Sequence, residues 1–392
     1  MTETMPPLAA ATRIAAPVRY DAILLAGFGG PEGQDDVIPY LRNVTRGRGV
    51  PDERLEEVSH HYRHFGGISP INQQNRELKA ALEAEITTRG LGLPVYWGNR
   101  FWAPYFADAL RELHADGHRR VLVIVTTAFS SYSGCRAYRE DLATALAETG
   151  LDGKIVLDKV RQYFDHPGFV EPNVAAVREG LRTLGSQGNG ANPHVMFATH
   201  SIPSAAADVS GPREARPDGT PVPTGGGEEW YAGGGWYAEQ QRAVAALIMD
   251  RVADEFPGVA YSLVYQSRSG DPSVPWLEPD VNDAINALDT DVSGLVISPL
   301  GFVSDHMEVA WDLDNEALET CAERGLPAVR VPSVGVDPAF VSGLVDLVEE
   351  RHVVEGGQPR DRVALTEYGP WQDVCPADCC LGRSSKSTIA NA

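Results

Sequence analysis

Short apolar runs alternate with amphipathic helical patterns along most of this chain. The first runs read DAILLA from Asp21 and RVLVIVT from Arg120, and their length is typical of strands buried on both faces. Helical patterns follow each run, and the same order restarts after the loop GSQGNGANP at 185–193. Repeated strand-then-helix order predicts parallel sheets covered by helices on both faces. We therefore predict an α/β fold of two doubly wound, Rossmann-like domains with the active-site cleft between them.

The chain is longer than one hydrophobic core usually supports, since it has 392 residues. We predict a disordered leader over 1–18, an N-terminal domain over 19–188, a C-terminal domain over 189–355 and a cysteine-bearing tail over 356–392. The segment between Ser204 and Gly235 is rich in Gly and Pro, which predicts a loop or flap without regular structure.

Charge and cysteine content exclude several classes of protein. A net charge of −21 argues against nucleic acid or an anionic membrane as the main partner. No apolar run approaches the ~18 residues that span a bilayer, and the first residues lack the pattern of a signal peptide. Five cysteines are too few for a disulfide scaffold in a chain of this size. We predict a cytoplasmic protein without a transmembrane segment or a nucleic-acid partner.

The stretch PLGFVSDHMEVAWDLDNE, at 299–316, combines a strand end, a glycine turn and an acidic helical pattern. A helix beginning near Asp305 would carry Asp305, Glu308, Asp312 and Glu316 along one face. Carboxylates at that spacing repel one another. The stripe is therefore either a solvated polar face or a path that a cation or a proton uses.

His200 follows the strand pattern in FATHSIP. Ligands of open α/β sheets bind outside the carboxyl ends of the strands, so we predict that His200 and Glu308 meet there as base and relay. A structural role is the alternative for a lone histidine. His60, His61 and His64 lie on a polar helical pattern, which predicts a solvated face.

The glycine loop AGFGGPE does not match a dinucleotide fingerprint, because Glu32 stands where the third glycine of G-x-G-x-x-G is required. Glycines there would instead let the backbone approach a flat ligand, with Phe28 beside it.

Six segments together resemble ferrochelatases, which insert Fe²⁺ into a porphyrin, and they occur in the family's order over roughly Asp21 to Arg351. They read AGFGGPE, RHFGGISPINQ, NRFWAPY, FATHSIP, VYQSRSGDPSVPWLEP and GFVSDHMEVAWDLDNE. The resemblance implies a lyase of haem biosynthesis in which His200 accepts pyrrole protons and, with Glu308, meets the iron substrate. It further implies that Asp312 and Glu316 relay metal or protons along a widened π-type turn, and that Asp305 and His306 orient them.

The resemblance favours coproporphyrin III as substrate, with coproheme as product. A protoporphyrin IX ferrochelatase, a cobalt or nickel chelatase and a non-catalytic porphyrin or haem carrier are the alternatives. Other haem-pathway enzymes are the expected protein partners.

The resemblance also assigns substrate-binding residues. It implies propionate contacts from Arg46, Tyr62, Ser69 and Tyr138, and porphyrin-facing walls from Phe28, Ile68, Trp276 and Phe302. Many coproporphyrin-using relatives carry Tyr at the position of Phe28. Without that phenol, His200 is the better candidate for an axial iron ligand.

Four cysteines match the number of thiolates that a [2Fe–2S] cluster requires. Some actinobacterial ferrochelatases hold such a cluster with one internal and three tail ligands, which implies Cys135 together with Cys375, Cys379 and Cys380. Adjacent ligands are sterically awkward, so Cys321 could replace one, although its periodic apolar surroundings predict helix packing. Four-thiolate zinc and a tail without metal are the alternatives.

Overall fold

The computed structural model describes residues 14–47, 49–212, 235–269, 273–353, 360–382 and 386–389. Most of the predicted leader and most of the 204–235 insertion, at 1–13 and 213–234, lie outside the described residues. In the described part, no helix is long and apolar enough to cross a membrane.

The first sheet has four parallel strands in the order β2-β1-β3-β4. All six residues of β1 are buried, as expected of a strand with helices on both faces. The strands are β1 Ala22–Gly27, β2 Val95–Asn99, β3 Arg120–Val125 and β4 Val156–Lys159.

The second sheet repeats this arrangement, with four parallel strands in the order β6-β5-β7-β8. Its strands are β5 Pro193–His200, β6 Ala260–Gln266, β7 Gly294–Ser298 and β8 Ala328–Arg330. The predicted α/β class with two parallel sheets is confirmed.

Helices follow the strands in both parts of the chain. In α3 the buried residues Leu78, Leu82 and Ile86 recur at helical spacing. The helices of the first part are α1 Val37–Val44, α2 Asp52–His64, α3 Ile71–Thr88, α4 Phe106–Ala115, α5 Ala137–Thr149 and α6 Pro167–Ser186. Those of the second part are α7 Ser204–Asp208, α8 Gly235–Val252, α9 Val281–Ala287, α10 Met307–Val309, α11 Leu318–Glu323 and α12 Pro338–Arg351. Two π-helical segments, Tyr132–Arg136 and Ala310–Ala317, precede α5 and α11.

Helices cross between the two parts. Helix α6 precedes the predicted boundary at 188, but it packs closely on the second sheet. A Cβ added at Gly180 of α6 would lie 2.8 Å from the side chains of Val296 and Val331. Near the other end of the chain, α12 contacts α3, and Arg89, which directly follows α3, pairs with Asp346 of α12 at 2.6 Å. One hydrophobic core is continuous through both parts. Helices α6 and α12 thus connect the two sheets, and the domain boundaries stay a prediction.

Two local predictions are wrong. The insertion was expected to lack regular structure, but its first residues form α7. The acidic helix was expected to begin near Asp305, but it begins at Met307.

Candidate active site

Three neighbouring strands of the second sheet end at the candidate site. β5 ends at His200 and β6 at Gln266, while β7 leads into the loop before Met307. Because β5 lies between β6 and β7, the residues that follow these strands converge at one edge of the sheet.

His200 and Glu308 meet at this edge. Their Nε2 and Oε2 atoms lie 3.5 Å apart, and the side chains keep 34% and 48% of their surface exposed. The other ring nitrogen of His200, Nδ1, hydrogen-bonds the carbonyl oxygen of Ser201, which assigns the proton to Nδ1 and leaves Nε2 free in the neutral ring.

The pair stabilises the charged forms of both groups. Burial alone would lower the pKa of His200, but the hydrogen bond and negative charge of Glu308 raise it above its usual value. Burial would raise the pKa of Glu308, but His200 outweighs it and brings that pKa to about 2. Glu308 is therefore a carboxylate at neutral pH, and His200 is a stronger base than an isolated imidazole.

His306 caps the helix that carries Glu308. Its backbone is extended, and its Nδ1 accepts the amide proton of Glu308 at 3.1 Å. Its ring also makes an edge contact with Phe302. This cap explains why the helix begins at Met307, since a capping residue lies outside the helix it caps.

Asp305 consequently lies off the acidic face that the sequence predicted. Its amide donates to Oε1 of Gln74 at 2.8 Å, and its carboxylate pairs with Arg330 at 3.0 Å. Asp305 thus fixes the loop before the helix against α3 and β8.

Asp312 is held by two residues that the sequence reasoning did not single out. Gln266 Nε2 donates to Asp312 Oδ2 at 3.2 Å, and the hydroxyl of Ser267 hydrogen-bonds the same oxygen. Burial, opposed by the Ser267 hydrogen bond and reinforced by nearby Glu308, raises the pKa of Asp312 to about 7. Asp312 can therefore gain or lose a proton near neutral pH. The signal for Gln266 and Ser267 was their place at the carboxyl end of β6.

The helix widens into a π segment over Ala310–Ala317, as the resemblance implied, and Asp312 and Glu316 lie on it. Trp311 Nε1 donates to Glu316 Oε1 at 2.8 Å. The Trp311 ring stacks on His61 with centroids 4.1 Å apart, so the prediction of a merely solvated face is wrong for His61. Wide helical turns of this kind recur at functional sites.

The predicted porphyrin contacts differ in accessibility. Ile68 is exposed, Phe28 and Trp276 are half-buried, and Phe302 is almost fully buried. Phe28 packs on Phe101 with ring centroids 4.7 Å apart. The role of these four side chains as wall residues stays a prediction.

The predicted propionate contacts are mostly covered by protein. Tyr62, Ser69 and Tyr138 are buried, whereas Arg46 is exposed. The ring of Tyr62 packs at a tilt against that of Tyr40, with centroids 5.8 Å apart, and burial raises the pKa of Tyr62. These four assignments stay predictions.

A second cluster lies away from the acidic helix and contains four cysteines. Cys135, Cys375, Cys379 and Cys380 are each at most 3% exposed and pack against one another. The Sγ atoms of Cys379 and Cys380 lie 3.8 Å apart. Cys321 is instead buried in α11, within the core under the second sheet. The structure thus joins the four predicted thiols, and the packing role predicted for Cys321 is confirmed.

Buried cations surround the four thiols. Lys159 is 1% exposed. A hydrogen bond with Cys375, together with burial, raises the pKa of Cys135 well above its usual range, and the positive charge of Lys159 opposes this rise. Arg136 donates to the carbonyl oxygen of Cys379 at 3.1 Å. Hydrogen bonding with Cys135 holds the pKa of Cys375 well below its usual range. Cys375 is therefore the thiol of this cluster that most readily forms a thiolate, the form that binds metal. The residues therefore fit a group that is bound by thiolates. Among the described residues, no three His, Cys, Asp or Glu side chains are already arranged to hold a single metal ion.

Comparison with known proteins places these sites in context. The family model described as Ferrochelatase matches residues 20–352. The chain is 57% identical over 377 residues to the coproporphyrin III ferrochelatase of Leifsonia xyli subsp. xyli, covering 94% of this chain and 93% of that one. It is 51% identical over 381 residues to the coproporphyrin III ferrochelatase of Streptomyces griseus subsp. griseus, with 96% and 97% covered. SirB from Bacillus subtilis with Fe³⁺ is a distant structural neighbour, with TM-score 0.47, 12% identity, and 86% and 98% covered.

Proposed function

The chain belongs to the ferrochelatase family, and from this premise we propose that it inserts Fe²⁺ into coproporphyrin III to give coproheme in haem biosynthesis. The observation that carries the proposal is the pairing of His200 and Glu308 at 3.5 Å, in a chain 57% identical to a coproporphyrin III ferrochelatase.

Metallation requires a base, because two pyrrole N–H protons must leave the ring. Nε2 of neutral His200 is the proton acceptor. Glu308 stabilises the imidazolium that results, since its charge already raises the pKa of His200.

Delivery of the metal requires ligands that bind and release Fe²⁺. Carboxylate oxygens suit this better than several thiolates or imidazoles, which would hold the ion too tightly. Asp312 and Glu316 supply such oxygens along the π segment. The pKa of about 7 at Asp312 lets this carboxyl exchange a proton as a cation arrives or leaves.

The residues around these groups keep them in place. His306 holds the amide of Glu308, Asp305 ties the preceding loop to Arg330, and Trp311 orients Glu316. Positioning residues of this kind reduce the reorganisation that the reaction requires.

The porphyrin would lie between Phe28, Ile68, Trp276 and Phe302, because a flat apolar ring needs an aromatic-lined slot. Among the described residues, the guanidinium of Arg46 makes no ion pair, and it suits a bidentate propionate contact. Tyr62, Ser69 and Tyr138 are the further proposed propionate contacts. Because Phe28 has no phenol oxygen, His200 is the proposed axial ligand of the iron.

We also propose that Cys135, Cys375, Cys379 and Cys380 hold a [2Fe–2S] cluster. Four buried thiols beside Lys159 and Arg136 support this, and zinc bound by four thiolates is the second candidate. When bound, the group supplies thiolate bonds that hold the tail against the rest of the protein.

All five cysteines are free of disulfides, which supports a reducing, cytoplasmic location. Other haem-pathway enzymes are the proposed protein partners.

Parallel metallation assays test the substrate assignment. Under anaerobic conditions with Fe²⁺, coproporphyrin III should be metallated with a kcat/KM at least about tenfold above that for protoporphyrin IX, a difference of about 1.4 kcal/mol. The reverse preference would assign protoporphyrin IX. Binding of both porphyrins without metallation would assign the chain as a carrier.

A further inference from the structure

The thiol cluster makes direct hydrogen bonds to the base of the 204–235 insertion. The amide of Gly211 donates to Sγ of Cys380 at 3.0 Å, and the amide of Cys380 donates to the carbonyl oxygen of Gly211 at 3.4 Å. Gly211 has φ +72°, and a Cβ there would lie 2.6 Å from Trp236. The tail cysteine is thus docked on a backbone position that only glycine fits.

The residue before Gly211 passes this contact to α8. The hydroxyl of Ser210 accepts the amide proton of Tyr237 at 2.7 Å and donates to the carbonyl oxygen of Ala207 at 2.5 Å. Ser210 and Tyr237 are both buried. The first turn of α8 is therefore fixed by the same segment that contacts Cys380.

Tyr237 in turn reaches the backbone of the catalytic histidine. Its hydroxyl donates to the carbonyl oxygen of His200 at 2.8 Å and lies 3.2 Å from Oγ1 of Thr199. The following amide, that of Ser201, donates to the carbonyl oxygen of Gln266 at 2.8 Å. The last peptide groups of β5 are thus held on one side by Tyr237 and on the other by β6.

We propose that Tyr237 is a positioning residue for His200, and that the contacts through Ser210 and Gly211 make the placement of His200 depend on the state of the thiol site. This inference rests on the proposed role of His200. Displacement of a catalytic group by about 1 Å can cost ~10²-fold in rate, and an unpaired carbonyl at the end of a strand would permit such a displacement. A change at Cys380 would reach His200 through three consecutive contacts, none of which involves the porphyrin.

Amide hydrogen exchange on the full chain measures this coupling without any assay of activity. In Tyr237→Phe, which removes only the hydroxyl, the peptide containing His200 and Ser201 should exchange about tenfold faster than in wild type. Ser210→Ala should act in the same direction. Tyr163→Phe is the matched control, because Tyr163 is also buried and its hydroxyl also donates to a backbone carbonyl, that of Val125, at 2.8 Å. It should leave exchange at this peptide unchanged.

Cys380→Ser tests the connection to the thiol site. It should accelerate exchange at the His200 peptide, and combining it with Tyr237→Phe should add less than the sum of the two separate effects. If Cys380→Ser does not fold, Ser210→Ala and its double variant with Tyr237→Phe decide the same question, because Ser210 lies on the path.

Kinetics give a second readout. Tyr237→Phe should lower kcat for iron insertion about tenfold while the KM for porphyrin changes less than about twofold, since no substrate contact is removed. Unchanged exchange at the His200 peptide in Tyr237→Phe would overturn the proposal, as would additive effects of the thiol-site and tyrosine substitutions. Accelerated exchange in a protein that metallates no porphyrin would leave the coupling standing and refute the proposed function instead.

Discussion

Nε2 of His200 and Oε2 of Glu308 lie 3.5 Å apart, at the junction of the strand β5 and the helix that follows β7. Each residue brings a different element to the contact: a strand end supplies the base, and a capped helix start supplies the carboxylate. Their separation lets the charge of Glu308 raise the pKa of His200, so the contact sets the proton affinity of the site.

The pH dependence of iron insertion should report this contact. His200 must be neutral to accept a proton, so kcat/KM should fall as the pH decreases through a pKa above its ordinary value of 6.5. In Glu308→Gln, no carboxylate at position 308 opposes the effect of burial, which lowers the pKa of His200. The acid limb of the kcat/KM profile should therefore move to lower pH. The maximal rate should also fall ~10²–10⁴-fold. Steady-state assays across pH measure both effects.

Glu319→Gln on α11 is the control for this experiment, because Glu319 is exposed and is not among the described groups that shift the pKa of His200, which are Glu308, Ser201 and Asp312. It should keep the wild-type profile. An acid limb at the same pH in Glu308→Gln as in wild type would contradict the proposed electrostatic role.

The hydroxyl of Ser267 should tune metal capture by Asp312. This hydrogen bond lowers the pKa of Asp312, which burial otherwise raises to about 7. Ser267→Ala should raise that pKa further, so that Asp312 is protonated and uncharged at neutral pH. The KM for Fe²⁺ should increase several-fold at pH 7 and recover as the pH rises. A pH-independent change in the KM for Fe²⁺ would mean that Ser267 acts in another way.

The thiol site should contain metal that depends on Cys135 and not on Cys321. Purified protein should contain iron and acid-labile sulfide, with visible absorption bands that dithionite bleaches. Cys135→Ser should remove these bands and lower Tm by several degrees, because the tail loses its anchor. Cys321→Ser should retain them, since that cysteine lies in another core. Stoichiometric zinc in a colourless protein would instead favour the four-thiolate site.

Arg46 should contribute to binding of the propionates. Arg46→Ala should raise the KM for coproporphyrin III by about tenfold, as expected for the loss of one charge-assisted contact. Arg42→Ala is the matched control, because Arg42 is exposed on α1, one turn before Arg46, but already pairs with Asp52 at 3.2 Å. Equal effects of the two substitutions would show that the loss of positive charge, and not a specific contact, weakens binding.

The sequence predicted most of the elements because their signals are local. Buried strands such as DAILLA and periodic helices such as Asp52–His64 carry their pattern within the segment itself. The position of His200 at a strand end was equally readable. Its meeting with Glu308 followed from the rule that strand ends of one sheet share an edge.

The contacts that differed from expectation depend on side chains from distant segments. The start of the acidic helix is set by the imidazole of His306, which caps the amide of Glu308, and helical periodicity does not show this. Ser267 contacts Asp312 from the loop that follows β6, and its backbone has a positive φ of 61°, a conformation that is uncommon for serine. The stacking of His61 on Trp311 likewise joins two helices that the sequence separates widely.

Iron insertion by the His200→Ala variant measures whether His200 accepts the pyrrole protons. Coproporphyrin III and Fe²⁺ are mixed anaerobically with wild type or variant, metallation is followed by absorbance, and porphyrin affinity is measured separately by fluorescence. His200→Ala should bind coproporphyrin III within a few-fold of wild type but metallate it at least ~10²-fold more slowly. Metallation by His200→Ala at the wild-type rate would show that His200 is not the base.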